Sequence, residues 1–283
     1  MRESGVEPTA VLVGHPVAHS LSPDIFEILA QTSAKSFCYE LRDVAPGQLG
    51  SAVADLLTVP GLVGVNVTVP YKERILAHVS GVSDDVATIG AANTLVRTAE
   101  GFVAHNTDVV GFAMMLDYLG LQLDEARVLV LGAGGAARAV VSSLFDRGVR
   151  QVLVFNRSSE RLQRICDLDV KRIVPYHRSD SSEKLDLVVH CTSLGLEDTD
   201  RDIIERVLGP VLQAYPGVPA VDLVYGSKIV DTLFMQTARQ YGLKPLSDGL
   251  PMLIGQAMEA WQLWTSQTVN FRDLPRILDV LRK

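Results

Sequence analysis

Residues Arg127–Arg161 read RVLVLGAGGAARAVVSSLFDRGVRQVLVFNRSSER, and the order of residue types along this stretch decides the fold. Val128-Leu129-Val130-Leu131 is a continuous apolar run of the kind found in a parallel strand buried on both faces. Gly132-Ala133-Gly134-Gly135-Ala136-Ala137 follows, then a helical pattern that ends near Gly148. A second strand is expected over Gln151 to Phe155. Strand, glycine turn, helix and strand make a βαβ unit suited to a dinucleotide. The glycines permit the tight turn and let the backbone approach a pyrophosphate, whose charge the free N–H groups at the helix start receive. Ala137 stands where the third glycine of the motif would be, so the flanking strand and helix carry the reading.

The end of the second strand indicates which dinucleotide. An NAD site usually places Asp or Glu about 20 residues after the glycines, where it binds the ribose hydroxyls. This chain has Asn156-Arg157-Ser158 and then Arg161. Two guanidinium groups beside small polar donors attract a 2′-phosphate that a carboxylate would repel. If Ser158 starts a helix, Arg157 precedes it and Arg161 lies on its first turn, so both reach one phosphate. NADP is therefore the expected cofactor.

Composition narrows the function classes. The chain has 283 residues, 47% hydrophobic and 21% charged, enough for two globular domains. A net charge of −7 without a basic stripe argues against a nucleic-acid partner. No apolar run reaches the about 18 residues needed to span a membrane, and the start lacks a secretory apolar stretch. Cys38, Cys166 and Cys191 are scattered, which fits a reducing compartment, the cytoplasm, and argues against zinc or a disulfide framework. His15 and His19 are separated by Pro16, which prevents a shared helical face, so no metal site is expected.

Before the glycine turn the chain reads as a separate α/β unit. Thr9–Val13 is a strand; Ser22 as N-cap and Pro23 as first helical residue start a helix to about Gln31. Phe37–Arg42 and Leu62–Val69 read as strands and Pro46–Leu57 as a helix. Ser83-Asp84-Asp85 caps a short helix to Ile89, and Ala91–Arg97 with Phe102–Ala104 makes a hairpin. Asp108 begins a helix, through Leu119, that leads into the nucleotide unit. Further strands are expected at Arg172–Val174, Leu185–His190, Ala220–Val224 and Leu243–Leu246, with helices from about Ile229 to Tyr241 and Leu250 to Gln267. Alternation of this kind predicts parallel sheets in both units. Trp261 and Trp264 on the last apolar helix are expected to serve the core.

Polar residues punctuate the strand ends of the first unit: Ser20, Ser22, Asn66, Thr68, Asn93 and Asn106-Thr107-Asp108, with Lys72 opening a helix after the third strand. In an open parallel sheet such ends converge on one crevice, and short hydroxyls and amides suit a small polyhydroxylated ligand. Ser20, Ser22 and Asp108 also read as helix caps and Asn93 as a turn residue. Lys72 beside Asp108 would supply the proton that accompanies hydride transfer to a carbonyl.

In order along nearly its whole length, the chain carries HSLSP, GVNVTVPYK, GAANTLV, HNTDVVGF, LGAGGAAR, NRSSER, CTSLG, DLVY and DGLPMLIGQA. With these motifs it resembles the shikimate dehydrogenase family. The resemblance implies an α/β fold of two domains: a substrate-binding and catalytic domain over residues 1–108 and a Rossmann-type, doubly wound NADP domain over 109–249. Helices over 250–283 would pack back on the first domain, and the active site would lie in a cleft between the two. It implies reversible reduction of 3-dehydroshikimate to shikimate with NADPH, on the path to aromatic amino acids, with Lys72 and Asp108 as the catalytic pair. Ser20, Ser22, Thr68 and Tyr225 would hold the substrate carboxylate or its surroundings, Asn93, Asp108 and Gln256 would bind the ring hydroxyls, and Asn66 would be a further substrate-binding residue. Gly132, Ala133, Gly134, Gly135, Ala136, Asn156, Arg157, Ser158, Arg161 and Thr192 would hold NADP, with Gly249 and the Leu223 backbone facing the nicotinamide.

The chain departs from the family pattern at His190-Cys191, usually Asn-Ala, and at Gly226-Ser227 and Val230-Asp231, where prolines are usual; Pro251 replaces a glycine. Two other readings stay open: a quinate-type paralogue using NAD, and a non-catalytic dinucleotide-binding regulator. The paired serines favour shikimate, since one is threonine in quinate-accepting relatives. The oligomeric state is left open, a homodimer being among the states allowed.

Overall fold

The computed structural model describes residues 7–177, 183–195, 198–226 and 231–283. The chain divides into two compact units, Met1–Gly111 with Leu253–Leu281 and Phe112–Met252 with Arg282–Lys283.

The first unit is a six-stranded sheet. Its strands are β1 (Thr9–Gly14), β2 (Cys38–Asp43), β3 (Leu62–Val67), β4 (Gly81–Val82), β5 (Thr94–Thr98) and β6 (Gly101–His105), in the order β2-β1-β3-β5-β6-β4. α1 (Ser22–Thr32), α2 (Leu49–Leu56) and α3 (Asp84–Ile89) join them, and a 3₁₀ turn spans Arg74–His78. Ser83 caps α3 as expected, its hydroxyl accepting the Val86 N–H.

The sheet is mixed, not parallel: β3 pairs antiparallel with β5, and β5 with β6. The tight β5–β6 hairpin forces this, because a short turn cannot return a strand in the parallel sense. Three boundaries also move. α2 starts at Leu49 instead of Pro46, β3 stops at Val67, and Asn93 lies just ahead of β5. Lys72 does not open an α-helix; it stands in a turn before the 3₁₀ segment.

The second unit is a doubly wound, all-parallel sheet. Its strands are β7 (Arg127–Leu131), β8 (Gln151–Phe155), β9 (Ile173–Pro175), β10 (Leu187–His190), β11 (Ala220–Asp222) and β12 (Leu246–Ser247), in the order β12-β11-β10-β7-β8-β9. The helices are α4 (Asp108–Tyr118), whose first residues through Gly111 belong to the first unit, α5 (Gly135–Asp146), α6 (Ser159–Cys166), α7 (Arg201–Leu212) and α8 (Leu233–Gln240). Alternate residues of β7 serve opposite cores. Val128 and Val130 pack with Val140, Leu144 and Val152, while Leu129 and Leu131 pack with Leu208, Leu212 and Phe234. Each such fully buried aliphatic side chain contributes about 1.5–3 kcal/mol. The expected start of α8 near Ile229 lies outside the described residues; α7 was not expected at all.

α9 (Leu250–Thr265) and α10 (Asp273–Leu281) end the chain. Pro251 sits in the first turn of α9, where its missing N–H has no intrahelical acceptor to lose. Within the first unit Trp264 is buried against Phe26 at a centroid distance of 5.3 Å, and its indole N–H donates to the Leu95 carbonyl at 3.0 Å. Trp261 is fully buried, its ring 4.8 Å from that of Phe37. No helix among the described residues is long and apolar enough to cross a membrane.

Candidate active site

Strand register gathers the first unit's polar residues at one end of its sheet. Asn66 at the end of β3 pairs with Thr94 at the start of β5, and Thr94 pairs with His105 at the end of β6. β1 ends beside β3, with Val13 opposite Val67. The residues that follow or precede these positions, Gly14–Ser22, Thr68–Lys72, Asn93 and Asn106–Asp108, therefore emerge at the same edge.

There Lys72 Nζ lies 2.5 Å from Asp108 Oδ2, with the two side chains 18% and 6% exposed. The Ala92 N–H donates to the Lys72 carbonyl at 2.8 Å and holds the lysine backbone against the strand entrance. Asp108 starts α4; its own N–H donates to Asn106 Oδ1 at 3.2 Å, and Asn106 Nδ2 donates to the Ala91 carbonyl at 2.8 Å. Asn93 Nδ2 donates to Asp108 Oδ1 and to Thr107 Oγ1, each at 2.9 Å, and approaches Gln256 Oε1 at 3.3 Å. Lys72, Asp108, Asn93 and Gln256 thus form one connected cluster. The pair is charge-assisted and held on both sides, so the ammonium points at a fixed place.

Asn66 is placed differently from its neighbours. Its amide donates to the Asn93 carbonyl at 3.2 Å and to Thr94 Oγ1 at 3.0 Å, and its oxygen accepts the Tyr39 hydroxyl at 2.7 Å. Both its donors are spent inside the protein, one of them on the Asn93 backbone carbonyl.

The serines correct one expectation. Ser22 is not the N-cap of α1: that position is Leu21, without a side-chain cap. Ser20 Oγ instead donates to Ser22 Oγ at 3.1 Å and accepts the Ser22 N–H at 3.2 Å. The Ser22 hydroxyl therefore caps nothing, while the Ser20 hydroxyl takes up the first N–H of α1. Thr68 is half-buried in the turn after β3, where its carbonyl accepts the Tyr71 N–H at 2.9 Å.

In the second unit, the β7–α5 turn is built to receive an anion. Gly132 has φ +122°, which would strain any side chain, and a Cβ there would crowd the Cys191 backbone at 3.1 Å. Gly134 is the N-cap of the twelve-residue α5, without a side-chain cap, and a Cβ on it would meet open space. The first N–H groups of α5, at Gly135 and Ala136, receive no capping side chain, which fits a pyrophosphate. After β8, Asn156 Nδ2 donates to the Ser158 carbonyl at 2.9 Å, and Ser158 caps α6 by accepting the Arg161 N–H at 3.4 Å. Arg157 and Arg161 are exposed, and neither makes an ion pair among the described residues. Capping at Ser158 sets both guanidinium stems at the start of α6, as the sequence predicts. The dinucleotide with a 2′-phosphate therefore fits the residues present.

At the ends of β10 and β11, Gly249 approaches Leu223 so closely that a Cβ would fall 2.3 Å from the Leu223 carbonyl oxygen. Gly249 N–H donates to the Val224 carbonyl at 3.1 Å. Thr192 follows β10, and its methyl carbon lies 3.1 Å from where a Gly132 Cβ would stand. Tyr225 is half-buried two residues beyond Leu223. The departure at Ser227 and Val230 lies outside the described residues. Burial pushes the Cys191 thiol well up, with the Asp222 charge adding to it, so the thiol stays protonated.

Sequence reasoning missed several supports. Thr107 bridges Asn93 and Gln256, its hydroxyl 3.4 Å from Gln256 Oε1; it was visible in the string Asn106-Thr107-Asp108. Tyr39, far away on β2, gave no signal that it would orient Asn66. His190 and Asp222 form a buried pair at 2.8 Å; the sequence marked His190 only as a departure.

Two family models match the chain: shikimate dehydrogenase substrate binding domain over residues 12–95, and shikimate/quinate 5-dehydrogenase over residues 115–207. The shikimate dehydrogenase (NADP(+)) of Symbiobacterium thermophilum is 36% identical, with 89% of this chain and 87% of that protein covered. The one of Moorella thermoacetica is 35% identical over 94% of this chain and 91% of its own length. Among solved structures, shikimate dehydrogenase from Aquifex aeolicus gives a TM-score of 0.83 at 30% identity, covering 96% of this chain and 97% of that one. Shikimate 5-dehydrogenase from Thermus thermophilus, in complex with NADP(H) and shikimate, gives 0.81 at 32% identity, covering 97% and 99%.

Proposed function

The chain belongs to the shikimate dehydrogenase family, and from that premise we infer that it catalyses the reversible, NADPH-dependent reduction of 3-dehydroshikimate to shikimate. The observation that carries the reading is the Lys72–Asp108 pair, held by the Asn93 amide, which Gln256 Oε1 contacts in turn. A protein that only bound a dinucleotide needs neither member of that pair.

When bound, NADPH supplies the hydride. Lys72 Nζ gives its proton to the carbonyl oxygen as hydride reaches the carbon, which completes the alcohol; in the reverse direction the neutral amine accepts that proton. Asp108 orients the ammonium through Oδ2 and accepts from a ring hydroxyl, while the Asn93 and Gln256 amides complete the hydrogen bonds to the ring hydroxyls. Ser20, Ser22, Thr68 and Tyr225 are assigned to the carboxylate or its surroundings, and Asn66 to the substrate site, where its amide also holds the Asn93 carbonyl. Gly132 to Ala136, Asn156, Arg157, Ser158, Arg161 and Thr192 are assigned to NADP, with Leu223 and Gly249 toward the nicotinamide.

Residues 1–108 form the substrate and catalytic domain in this reading and 109–249 the nucleotide domain, with 250–283 joining the first. We place the protein in the cytoplasm, a reading supported by three free thiols. A homodimer is the assembly to test, by sedimentation. The activity is tested by following absorbance at the nicotinamide band with shikimate and quinate against NADP and NAD. The expected result is turnover with shikimate and NADP. Turnover with quinate and NAD alone would select the paralogue reading, and no turnover with any pair would select the silent regulator.

A further inference from the structure

β10 ends in a side chain the reaction does not use. His190 is fully buried, and its ring stacks on Phe234 at a centroid distance of 4.7 Å. Nδ1 lies 2.8 Å from Asp222 Oδ1 and Nε2 lies 2.6 Å from Thr192 Oγ1. Asp222 is equally buried. Its carboxylate also accepts the Val224 N–H at 3.0 Å and the Thr232 hydroxyl at 2.6 Å. The Leu194 N–H donates to Thr192 Oγ1 at 3.2 Å.

The Asp222 carboxylate fixes one of these bond directions. A carboxylate can only accept, so the imidazole proton sits on Nδ1. In the singly protonated ring, Nε2 then accepts the Thr192 hydroxyl hydrogen. Thr192 Oγ1 has spent its hydrogen inward and one lone pair on Leu194. Its remaining lone pair can accept a hydrogen bond, but the group has nothing to donate.

The location gives this polarity a use. β10 neighbours β7, and the sheet's order reverses between them, the place where open α/β sheets bind ligands. Thr192 stands against Gly132, the first glycine of the dinucleotide turn. The His190 carbonyl accepts the Leu223 N–H at 2.9 Å, so the same residue ties β10 to the segment that Gly249 contacts.

We propose that His190 is a positioning residue for the dinucleotide: it fixes Thr192 Oγ1 as a hydrogen-bond acceptor at the glycine turn, through a relay anchored on Asp222. The group it fits is a hydroxyl or amide N–H on the nicotinamide-ribose half of the cofactor, not a phosphate oxygen, which has no hydrogen to give. The inference rests on the NADP-dependent reading of the chain.

The test measures dissociation constants of NADP and of shikimate by titration calorimetry, with ligand-free melting midpoints, for the unmodified protein, His190→Asn, Thr192→Val, Thr192→Ser and the double variant His190→Asn/Thr192→Val. His190→Asn retains an amide near Asp222 but loses the reach to Thr192. His190→Asn and Thr192→Val should each weaken NADP roughly tenfold, the scale of one hydrogen bond. Shikimate affinity should be unchanged, Thr192→Ser should bind NADP as the unmodified protein does, and the double variant should be no weaker than either single. Unchanged NADP affinity in His190→Asn, or losses that multiply in the double variant, would overturn the proposal. A purely structural role would lower the melting midpoint and leave NADP affinity alone. If His190→Asn does not fold, nitrogen NMR of the unmodified protein decides: an unprotonated Nε2 supports the relay and a protonated one overturns it. An unmodified protein that turns over shikimate but fails these arms loses only this proposal; one that binds no NADP loses the functional reading as well.

Discussion

Lys72→Ala removes the ammonium that faces Asp108 Oδ2 at 2.5 Å. If that ammonium delivers the proton, turnover should fall by about 10²–10⁴, roughly 3–5 kcal/mol of barrier. Breaking a fully buried ion pair costs about 3–5 kcal/mol of stability. Here Lys72 keeps 18% of its side chain exposed, and Asp108 Oδ1 still accepts the Asn93 amide at 2.9 Å. The stability loss should therefore fall below that range, and the variant should stay folded for assay. Rates are read at the nicotinamide band under saturating shikimate and NADP, with NADP affinity measured separately. Affinity for NADP should be nearly unchanged, because the pair belongs to the first unit and the glycine turn to the second. Asp108→Asn should lower both turnover and shikimate affinity. The double variant should lose far less than the product of the two singles, because each residue works through the other. A folded Lys72→Ala enzyme that keeps more than about a tenth of its turnover would remove Lys72 from proton transfer.

Three further outcomes are expected. Arg157→Ala should weaken NADP by roughly 1.5–3 kcal/mol, the range of a charge-assisted contact, and narrow the preference over NAD; equal efficiency with both cofactors in the unmodified protein would reject the phosphate assignment. Ser22→Ala should weaken shikimate while costing less stability than the about 1 kcal/mol of a lost helix cap, since the hydroxyl caps nothing; a melting loss without an affinity loss would contradict this. Asp248 is buried, and burial raises its carboxyl to about 6, with Arg282 opposing and Asp222 adding to the rise. The folded state therefore holds a proton that the unfolded state releases, and stability falls as pH climbs from about 4 to about 6. Asp248→Asn removes the effect, so denaturant melts should show a gain that grows over that window toward roughly 3 kcal/mol and then levels off; a constant difference across pH would refute it.

Local signals decided much of this protein. The β7–turn–α5–β8 unit, the caps at Ser83 and Ser158, and the bare arginines after β8 were legible because each depends on residues within one or two turns of chain. The residues Lys72, Asn93, Asp108 and Gln256 could be singled out as polar types on an apolar background, and a family resemblance gave them roles. Their meeting could not be read from the string, since Asn93 and Gln256 come together only through the packing of α9 within the first unit. The same holds for Ser22, which matched a helix cap in sequence and is claimed instead by Ser20. α7 was hidden by Gly209 and Pro210, two local breakers that the burial of Ile204, Leu208, Val211 and Leu212 overrides. The His190–Asp222 relay joins two strands that are neighbours only in the sheet. The sequence thus determined what is periodic, capped or turned within a short span. Which polar groups satisfy one another across strands was decided by tertiary structure, because buried donors and acceptors must pair wherever the fold brings them within reach.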